Sequence, residues 1–237
     1  MMEAEARLLV CMPETGKGGA VTAYAGYLRD LLGGQVNDTW LAAQKDKARL
    51  KQTDCDLIVC GELEQSCLEQ VWAGQPPASL LWARRPRWPI QNILLILRFE
   101  ETDNAAVEWL ERLALASSAA VTVLPIVPSL PAMHRLGNRI QTGLDLLLSA
   151  NTPAGRRVRR LARRMAGWQI SSGLRLRQGE PEQQIREEVA EGNYDLIVIG
   201  AEPGHGRSHH FQSGELVGPL LRWVERPLLI ARPSRTS

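Results

Sequence analysis

Short runs of consecutive apolar residues recur along this 237-residue chain, separated by longer amphipathic segments. The clearest run covers 92–97, and similar runs cover 120–127, 196–199 and 228–231. Runs of this length without alternating polar residues are typical of strands buried on both faces of a parallel sheet. Because they alternate with segments of helical period, we predict an α/β fold with right-handed crossover connections.

The segments between these runs carry the signals of helices. After the run 92–97, apolar residues recur at helical spacing, and Thr102 or Asp103 is expected to cap a helix over 103–116. The stretch 169–177 is a possible further strand. The other predicted helices cover 133–166, 180–191 and 215–225.

An internal repeat organises the chain. Three segments of the first third recur in the same order in the remainder, which indicates two copies of one parallel-sheet unit. The first copy is shorter, because it lacks the segment between the second and fourth strands of the complete copy. We place the boundary in the proline-containing segment 84–90 and predict a truncated domain over 1–88 and a complete domain over 89–237. The matching segments are 7–14 with 92–99, 56–61 with 195–200, and 80–86 with 228–233.

The composition is that of a globular protein without a polyanionic partner. Hydrophobic residues make up 44% and charged residues 23%, and the formal net charge is only +2. A nucleic-acid partner is therefore not expected. The longest uncharged stretch is interrupted by serines, a threonine and prolines, and the chain starts without a basic and apolar leader. We therefore expect a cytoplasmic protein without membrane insertion.

The cysteines lie in the first third of the chain, at Cys11, Cys55, Cys60 and Cys67, without a Cys-x-x-Cys pair. In a protein with no export signal they are expected to be reduced thiols. Cys11 and Cys60 lie inside apolar runs, so a buried structural role is expected for both.

Three other patterns resemble functional sites but fit simpler explanations better. The glycine-rich segment 16–19 contains a lysine, but Cys11 and Gly18 stand where a phosphate-binding loop requires a glycine and a hydroxyl. The histidines within 205–210 lack a neighbouring cysteine, so a solvated loop is expected there rather than a metal site. Ser208 lies beside a histidine in sequence, and nothing further supports a catalytic triad. No metal site and no catalytic residue are predicted.

A run of six arginines occupies the segment 156–165. Apolar residues between them form a narrow stripe, which predicts a helix that docks on the sheet with its arginines at the flanks. The arginines over 156–164 either form a solvated face or bind an anionic partner, such as an acidic protein, a lipid surface or nucleic acid. Both interpretations stay open at this point.

Three stretches of the second copy carry a family resemblance. Gly179-Glu-Pro-Glu-Gln-Gln-Ile185 precedes Tyr194-Asp-Leu-Ile-Val-Ile-Gly200, and Arg226-Pro-Leu-Leu-Ile-Ala-Arg232 follows after a glycine-containing loop. With these stretches the sequence resembles the universal stress protein family in its tandem form, with a degenerate first repeat. The resemblance implies two repeats of a Rossmann-like, adenine nucleotide alpha hydrolase-like fold that pair through their final strands. It also implies a cytoplasmic protein, and many members bind ATP without being efficient enzymes.

The resemblance also points to a candidate nucleotide site. ATP-binding members carry Gly-x2-Gly-x9-Gly followed by Ser or Thr after the fourth strand, where glycines let backbone N–H groups approach phosphates. Here the loop is one residue longer, and the hydroxyl position holds a carboxylate that repels phosphate but suits a helix start. The position of the adenine-facing aspartate holds an arginine, which offers no acceptor. The candidate nucleotide-binding residues are Arg98, Val127, Gly200, Gly204, Gly206, Gly214 and Glu215, with Gly206 competing with Gly204 for the second glycine position.

Three functions follow as hypotheses. The first is a non-catalytic stress-response or signalling module that acts through protein association, as a homodimer or through pairing of its repeats along the final strand 228–231. The alternative is an adenine-nucleotide sensor for ATP or AMP that uses the glycine loop of the second repeat. The third is a basic adaptor that docks through the arginine helix. None of them is an enzyme, and no cofactor is expected unless the loop binds ATP.

Overall fold

The computed structural model shows a mostly parallel sheet with helices on both faces. The described residues are 6–11, 19–37, 55–61, 78–99, 102–127, 143–201 and 216–233. The strands are β1 (Arg7–Cys11), β2 (Gln35–Asn37), β3 (Leu57–Cys60), β4 (Ser79–Trp82), β5 (Asn92–Leu97), β6 (Ala120–Val127), β7 (Ser172–Leu174), β8 (Arg177–Gln178), β9 (Leu196–Gly200) and β10 (Leu228–Ala231). The helices are α1 (Gly19–Leu32), α2 (Asp103–Ser117), α3 (Gly143–Ser149), α4 (Pro153–Ala166), α5 (Pro181–Glu191) and α6 (Val217–Trp223).

The described strands form one sheet in the order β2-β1-β3-β4-β10-β9-β5-β6-β7, and β8 continues the pairing along the end of β6. Every neighbouring pair is parallel except β4 and β10, which run antiparallel with Leu80 opposite Ile230. β3, β4, β9 and β10 are buried along their whole length, as strands covered on both faces are. The predicted α/β class is confirmed, and β5, β6 and β10 have the predicted bounds.

The order of strands is similar on the two sides of the β4–β10 pairing, which we call the seam. On one side of the seam the order is β2-β1-β3-β4, so β1 lies between the next strand of the chain and a later one. On the other side the order is β6-β5-β9-β10, and β5 has the corresponding position. Cys11 pairs with Cys60 across β1 and β3, and Ile96 pairs with Ile199 across β5 and β9. These positions correspond in the predicted repeat. The division into domains 1–88 and 89–237 stays a prediction, and this order supports it.

Two apolar layers cover the sheet, one on each face. On one face, α1, α2 and α4 contribute residues such as Leu28, Leu110 and Val158. On the other face, α5 and α6 contribute residues such as Ile185 and Leu220. Because successive strand residues point to opposite faces, the long central strands such as β5 and β9 supply both layers. Each layer contains residues from both sides of the seam, so the two sides share one core.

Cys11 and Cys60 are buried free thiols, which confirms the role expected from the sequence. The hydrogen bond with Cys11, together with burial, raises the pKa of the Cys60 thiol well above its ordinary value. The Cys60 thiol is therefore protonated at neutral pH and takes part in the apolar layer.

The predicted helix over 133–166 is wrong in its extent. Residues 133–142 lie outside the described part of the chain, and the remainder is interrupted between α3 and α4. Thr152 begins the second helix, because its hydroxyl accepts the N–H of Gly155 at 3.1 Å and Pro153 occupies the first turn.

The predicted strand over 169–177 is confirmed in part. The structure has two shorter strands there: β7 pairs with Val121–Val123, and β8 pairs with Ile126 and Val127. Both keep the same register with β6. The ladder is interrupted near Pro125, which has no N–H to donate, while the N–H of Arg175 still donates to the carbonyl of Val123 at 2.9 Å.

A buried hydroxyl joins the seam to α2. Ser79 Oγ accepts the indole N–H of Trp109 at 2.8 Å and the backbone N–H of Arg232 at 3.0 Å. Ser79 is 2% exposed and Trp109 is 6% exposed, so water cannot replace these bonds. The hydroxyl therefore satisfies donors from the helix and from the end of β10 at the point where the two sides of the sheet meet.

We expect Ser79→Ala to lower the free energy of unfolding by about 1–3 kcal/mol, because the buried indole N–H of Trp109 loses its acceptor. Urea unfolding followed by circular dichroism measures this change. Ser149→Ala is the matched control, because its hydroxyl bond to Leu146 is exposed and its removal should cost less than about 0.5 kcal/mol. Equal losses for the two variants would contradict the role of Ser79 at the seam.

Candidate functional site

The candidate site lies at the carboxyl ends of β5 and β9. These strands are neighbours, and the chain leaves β5 towards β6 on one side but leaves β9 towards β10 on the other. Such a switch point opens a crevice between the strand ends, where open α/β sheets bind ligands. β5 ends at Leu97 and β9 ends at Gly200, so Arg98 and Ala201 lie at the mouth of this switch crevice.

Arg98 joins the two strand ends at the switch crevice. Its Nη2 donates to the carbonyl oxygens of Gly200 at 2.7 Å and Ala201 at 2.8 Å. The side chain is buried, with 7% of the residue exposed, although it carries a positive charge. The guanidinium therefore spans from the end of β5 to the end of β9 and binds the backbone where the glycine loop begins.

A hydrogen bond joins the same arginine to the first residue of α2. The backbone N–H of Arg98 donates to Oδ2 of Asp103 at 3.2 Å, and Asp103 is 2% exposed. The predicted cap of α2 is therefore wrong for Thr102, whose side chain makes no cap bond to the helix. Its hydroxyl instead accepts Arg98 Nη2 at 3.4 Å. The carboxylate of Asp103 still lies in the first turn, where the helix dipole favours a negative charge.

Gly200 is explained by packing at this turn. A Cβ at this position would lie 2.8 Å from the carbonyl carbon and oxygen of Thr102, closer than side-chain atoms approach backbone. Only glycine lets the end of β9 pass this close to the start of α2. The close approach accounts for Gly200 without any phosphate.

The structure brings together part of the predicted site. Arg98 and Gly200 are in direct contact, and Val127 is half-buried at the end of β6, the neighbour of β5. β6 extends past its partner, because Leu97 pairs with Pro125 and Val127 pairs instead with β8. The remaining predicted residues lie outside the described residues; they are Gly204, Gly206, Gly214 and Glu215, together with the histidines of 205–210.

A buried carboxylate that the sequence analysis missed lies beside this edge of the sheet. Glu188 of α5 is fully buried and accepts hydrogen bonds from Arg175 and Arg177, each at 2.8 Å, and from the hydroxyl of Tyr194 at 2.5 Å. Arg177 is in β8, so the network fixes the strand that pairs with the end of β6. In the sequence, Arg175 and Arg177 lie two residues apart shortly before a helix rich in glutamate. This pattern is the signal that could have indicated the buried carboxylate.

The network holds Glu188 in its ionised form. Burial alone raises the pKa of this carboxyl, but the hydrogen bonds from Tyr194, Arg177 and Arg175 outweigh burial and lower the pKa below its ordinary value of 4.5. Burial and the bond to Glu188 raise the pKa of the Tyr194 hydroxyl, so it stays a donor. The buried charge is therefore paired and fully hydrogen-bonded, as a stable buried carboxylate must be.

Neither a metal site nor a membrane span is found within the described ranges. No group of three or more His, Cys, Asp or Glu side chains there is placed to hold a metal ion. None of the helices in those ranges combines the length and apolarity needed to cross a bilayer.

The strand order β7-β6-β5-β9-β10 and the switch crevice define the class of open α/β proteins with a ligand-binding crevice at the strand ends. Within that class, the model of the Universal stress protein family matches residues 89–232. The match spans more than half of the chain, so this protein belongs to the universal stress protein family. The family resemblance of the sequence is thereby confirmed.

Solved structures share the fold over most of the chain. A provisionally assigned universal stress protein from Pseudomonas aeruginosa UCBPP-PA14 is 18% identical with a TM-score of 0.58, over 97% of this chain and 83% of that one. A universal stress protein from Archaeoglobus fulgidus is 11% identical with a TM-score of 0.57, over 91% of this chain and 78% of that one. At these identities the likeness concerns the fold alone. No curated protein matches the sequence.

We expect Glu188→Gln to lower the free energy of unfolding at pH 7 by about 3 kcal/mol, because two arginines lose their buried counter-ion. The pKa of Glu188 is lower in the folded protein, so its stabilising effect is present above the unfolded pKa. It is lost as pH falls through the folded pKa. The wild type should therefore lose more stability below pH 4.5 than the variant does.

Urea unfolding between pH 7 and pH 3 measures this difference. Glu182→Gln is the control, because its pair with Arg186 is largely exposed and should contribute less than about 0.5 kcal/mol. A Glu188→Gln variant with the stability and the acid dependence of the wild type would show that the network does not hold the carboxylate ionised.

Proposed function

We propose that this protein is a non-catalytic module of cytoplasmic stress response or signalling that acts through protein association and does not bind ATP. The observation that carries the proposal is the buried guanidinium of Arg98, which is bonded to the two carbonyls at the end of β9. The alternative, an adenine-nucleotide sensor, requires the same crevice to hold a base and phosphates.

The chemistry of Arg98 opposes an adenine in the switch crevice. The exocyclic amino group of adenine is a donor and needs an acceptor, whereas a guanidinium carries donors only. The carbonyls of Gly200 and Ala201 are already bonded to Arg98. Breaking two bonds to a charged group costs about 3–6 kcal/mol, which weakens binding roughly 10²- to 10⁴-fold.

The pairing of the final strand supports association within the chain. β10 is bonded on one edge to β9 and on the other to β4, so both of its edges are used. A second copy therefore finds no open edge on this strand, and edges are where strands from different chains pair. We infer that the two predicted repeats pair with each other along β4 and β10 in place of a homodimer through this strand.

The arginine helix offers a surface for an anionic partner. Arg159 and Arg164 are engaged within the protein, the first with the carbonyls of Leu148 and Ala150 and the second with Glu111. Arg160 and Arg163 are exposed, and within the described ranges no ion pair holds either of them. We include an acidic protein surface at these two arginines in the proposal, since α4 packs on the sheet through its opposite stripe.

Wild-type protein should give no heat with millimolar ATP in titration calorimetry, because Arg98 is bonded to the carbonyls at the mouth of the crevice. Arg98→Asp should gain measurable affinity for ATP, since it removes the guanidinium and restores an acceptor for adenine. Arg163→Asp is the control, because it makes the same charge change on an exposed helix. Binding of ATP by the wild type, with affinity unchanged or lower in Arg98→Asp, would contradict the proposal.

Light scattering should find a monomer of 26.3 kDa up to millimolar concentration, because β10 has no free edge for a second copy. Leu80→Pro removes a donor from β4 in the seam and should lead to concentration-dependent association or to unfolding. Leu115→Ser is the control, because Leu115 is exposed on α2 and belongs to neither apolar layer. A wild-type dimer whose formation is abolished by changes in β10 would refute this pairing.

A further inference from the structure

The segment that connects β4 to β5 runs along the amino ends of three strands. β4 is antiparallel to β10, so Trp82 at the end of β4 lies opposite Leu228 at the start of β10. From there residues 84–91 pass the starts of β10 and β9 and reach the start of β5. This edge of the sheet is opposite to the switch crevice, so a site at this edge is independent of the proposed function.

A shallow depression of about 410 Å³, largely open to solvent, lies along this segment, and we call it the linker cavity. It combines an aromatic ring, a guanidinium and a carboxylate with apolar proline rings. The lining residues are Pro86, Arg87, Trp88, Pro89, Gln91 and Asp195.

The indole of Trp88 is held firmly and yet 45% exposed. Its ring packs against the ring of Tyr24 with centroids 6.0 Å apart, and Tyr24 stacks on Tyr27 at 6.1 Å. The hydroxyl of Tyr27 in turn accepts the N–H of Ile90 at 3.0 Å. The exposed surface of a large ring fixed in this way is a platform on which another planar ring can stack.

Positive charge exceeds negative charge around the linker cavity. Arg84, Arg85 and Arg87 come from the connecting segment, and Arg226 precedes β10 and interacts electrostatically with Arg87. Glu225 is bonded to Arg85 at 2.5 Å. The other nearby carboxylate, Asp195, already accepts the backbone N–H groups of Gln91 and Asn92 through Oδ2, at 2.9 and 3.0 Å. Among these arginines Arg87 lines the cavity, and its Nη1 donates to Oδ1 of Asn193 at 3.1 Å.

Arg226 lies close enough to Arg87 for their like charges to interact. Burial lowers the pKa of the Arg226 guanidinium, and the like charges of Arg87 and Arg85 lower it further, although Asp195 and Glu225 act in the opposite direction. An anion bound between Arg87 and Arg226 would relieve this repulsion, and guanidinium groups match the planar geometry of carboxylates and phosphates.

We propose that the linker cavity binds a small aromatic anion, with its planar ring on the indole of Trp88 and its phosphate or carboxylate at Arg87 and Arg226. The ring and the anion must belong to one molecule, because Arg87 and Trp88 are adjacent and both line the cavity. Stacking on an aromatic side chain contributes a factor of about 5–100 in affinity, and the anion contributes about tenfold.

Titration calorimetry with AMP and with 2-naphthoate tests the proposal, since the first carries a phosphate and the second a carboxylate on a planar ring. At least one of them should bind with one-to-one stoichiometry. Adenosine and ribose 5-phosphate, which supply the ring and the phosphate separately, should each bind about tenfold more weakly than AMP wherever AMP binds. Failure of both AMP and 2-naphthoate to bind at millimolar concentration would overturn the proposal.

Variants then place the ligand. Arg87→Gln should weaken binding about tenfold, Trp88→Ala about 5–100-fold and Trp88→Phe much less, while Arg163→Gln should leave affinity unchanged. Trp88→Ala also removes the packing of the indole on Tyr24. Arg87→Gln tests the site without that loss, because Arg87 is exposed. Affinity that depends on Arg98 but not on Arg87 or Trp88 would move the ligand to the switch crevice. That result would refute both this inference and the proposed function, whereas a simple failure to bind would refute this inference alone.

Discussion

The antiparallel pairing of β4 with β10 is the constraint on which the rest of the structure depends. It joins two parallel halves into one sheet, and all four residues of each of these strands are buried. Both apolar layers continue across the seam, so neither half keeps its core without the other. Ser79 adds the polar bonds that a buried junction needs, to α2 on one side and to the end of β10 on the other.

The same sheet determines what each of its two switch points can hold. Between β1 and β3 the final residues are Cys11 and Cys60, both buried in an apolar layer. Between β5 and β9 the corresponding pair is Ile96 and Ile199, and Arg98 lies just beyond them and turns back over the strand ends. At this switch point a side chain of the protein holds the strand ends together, because Arg98 is bonded to the carbonyls of Gly200 and Ala201.

Much of the fold could be predicted from the sequence, because buried parallel strands leave a simple signal. The unbroken apolar runs gave the bounds of β5, β6 and β10. The helix over 133–166 was predicted without its interruption after Ser149, since its arginine-rich period hid the start signal of Thr152 followed by Pro153. The run 169–177 was predicted as one strand because its own residues do not show that Pro125 of the neighbouring strand interrupts the ladder.

The candidate site was predictable only where its chemistry is local. The sequence shows that Arg98 lacks an acceptor, but its bonds to Gly200 and Ala201 depend on β5 and β9 being neighbours in the sheet. Glu188 was missed for the same reason. On an amphipathic helix a glutamate predicts a solvated face, and only the fold brings Arg175, Arg177 and Tyr194 onto it.

A crystal structure of the protein grown with saturating ATP tests the central claim most directly. The account predicts a switch crevice without nucleotide, in which Nη2 of Arg98 remains bonded to the carbonyl oxygens of Gly200 and Ala201. Density for an adenine ring between the ends of β5 and β9, with the guanidinium displaced from those carbonyls, would contradict it.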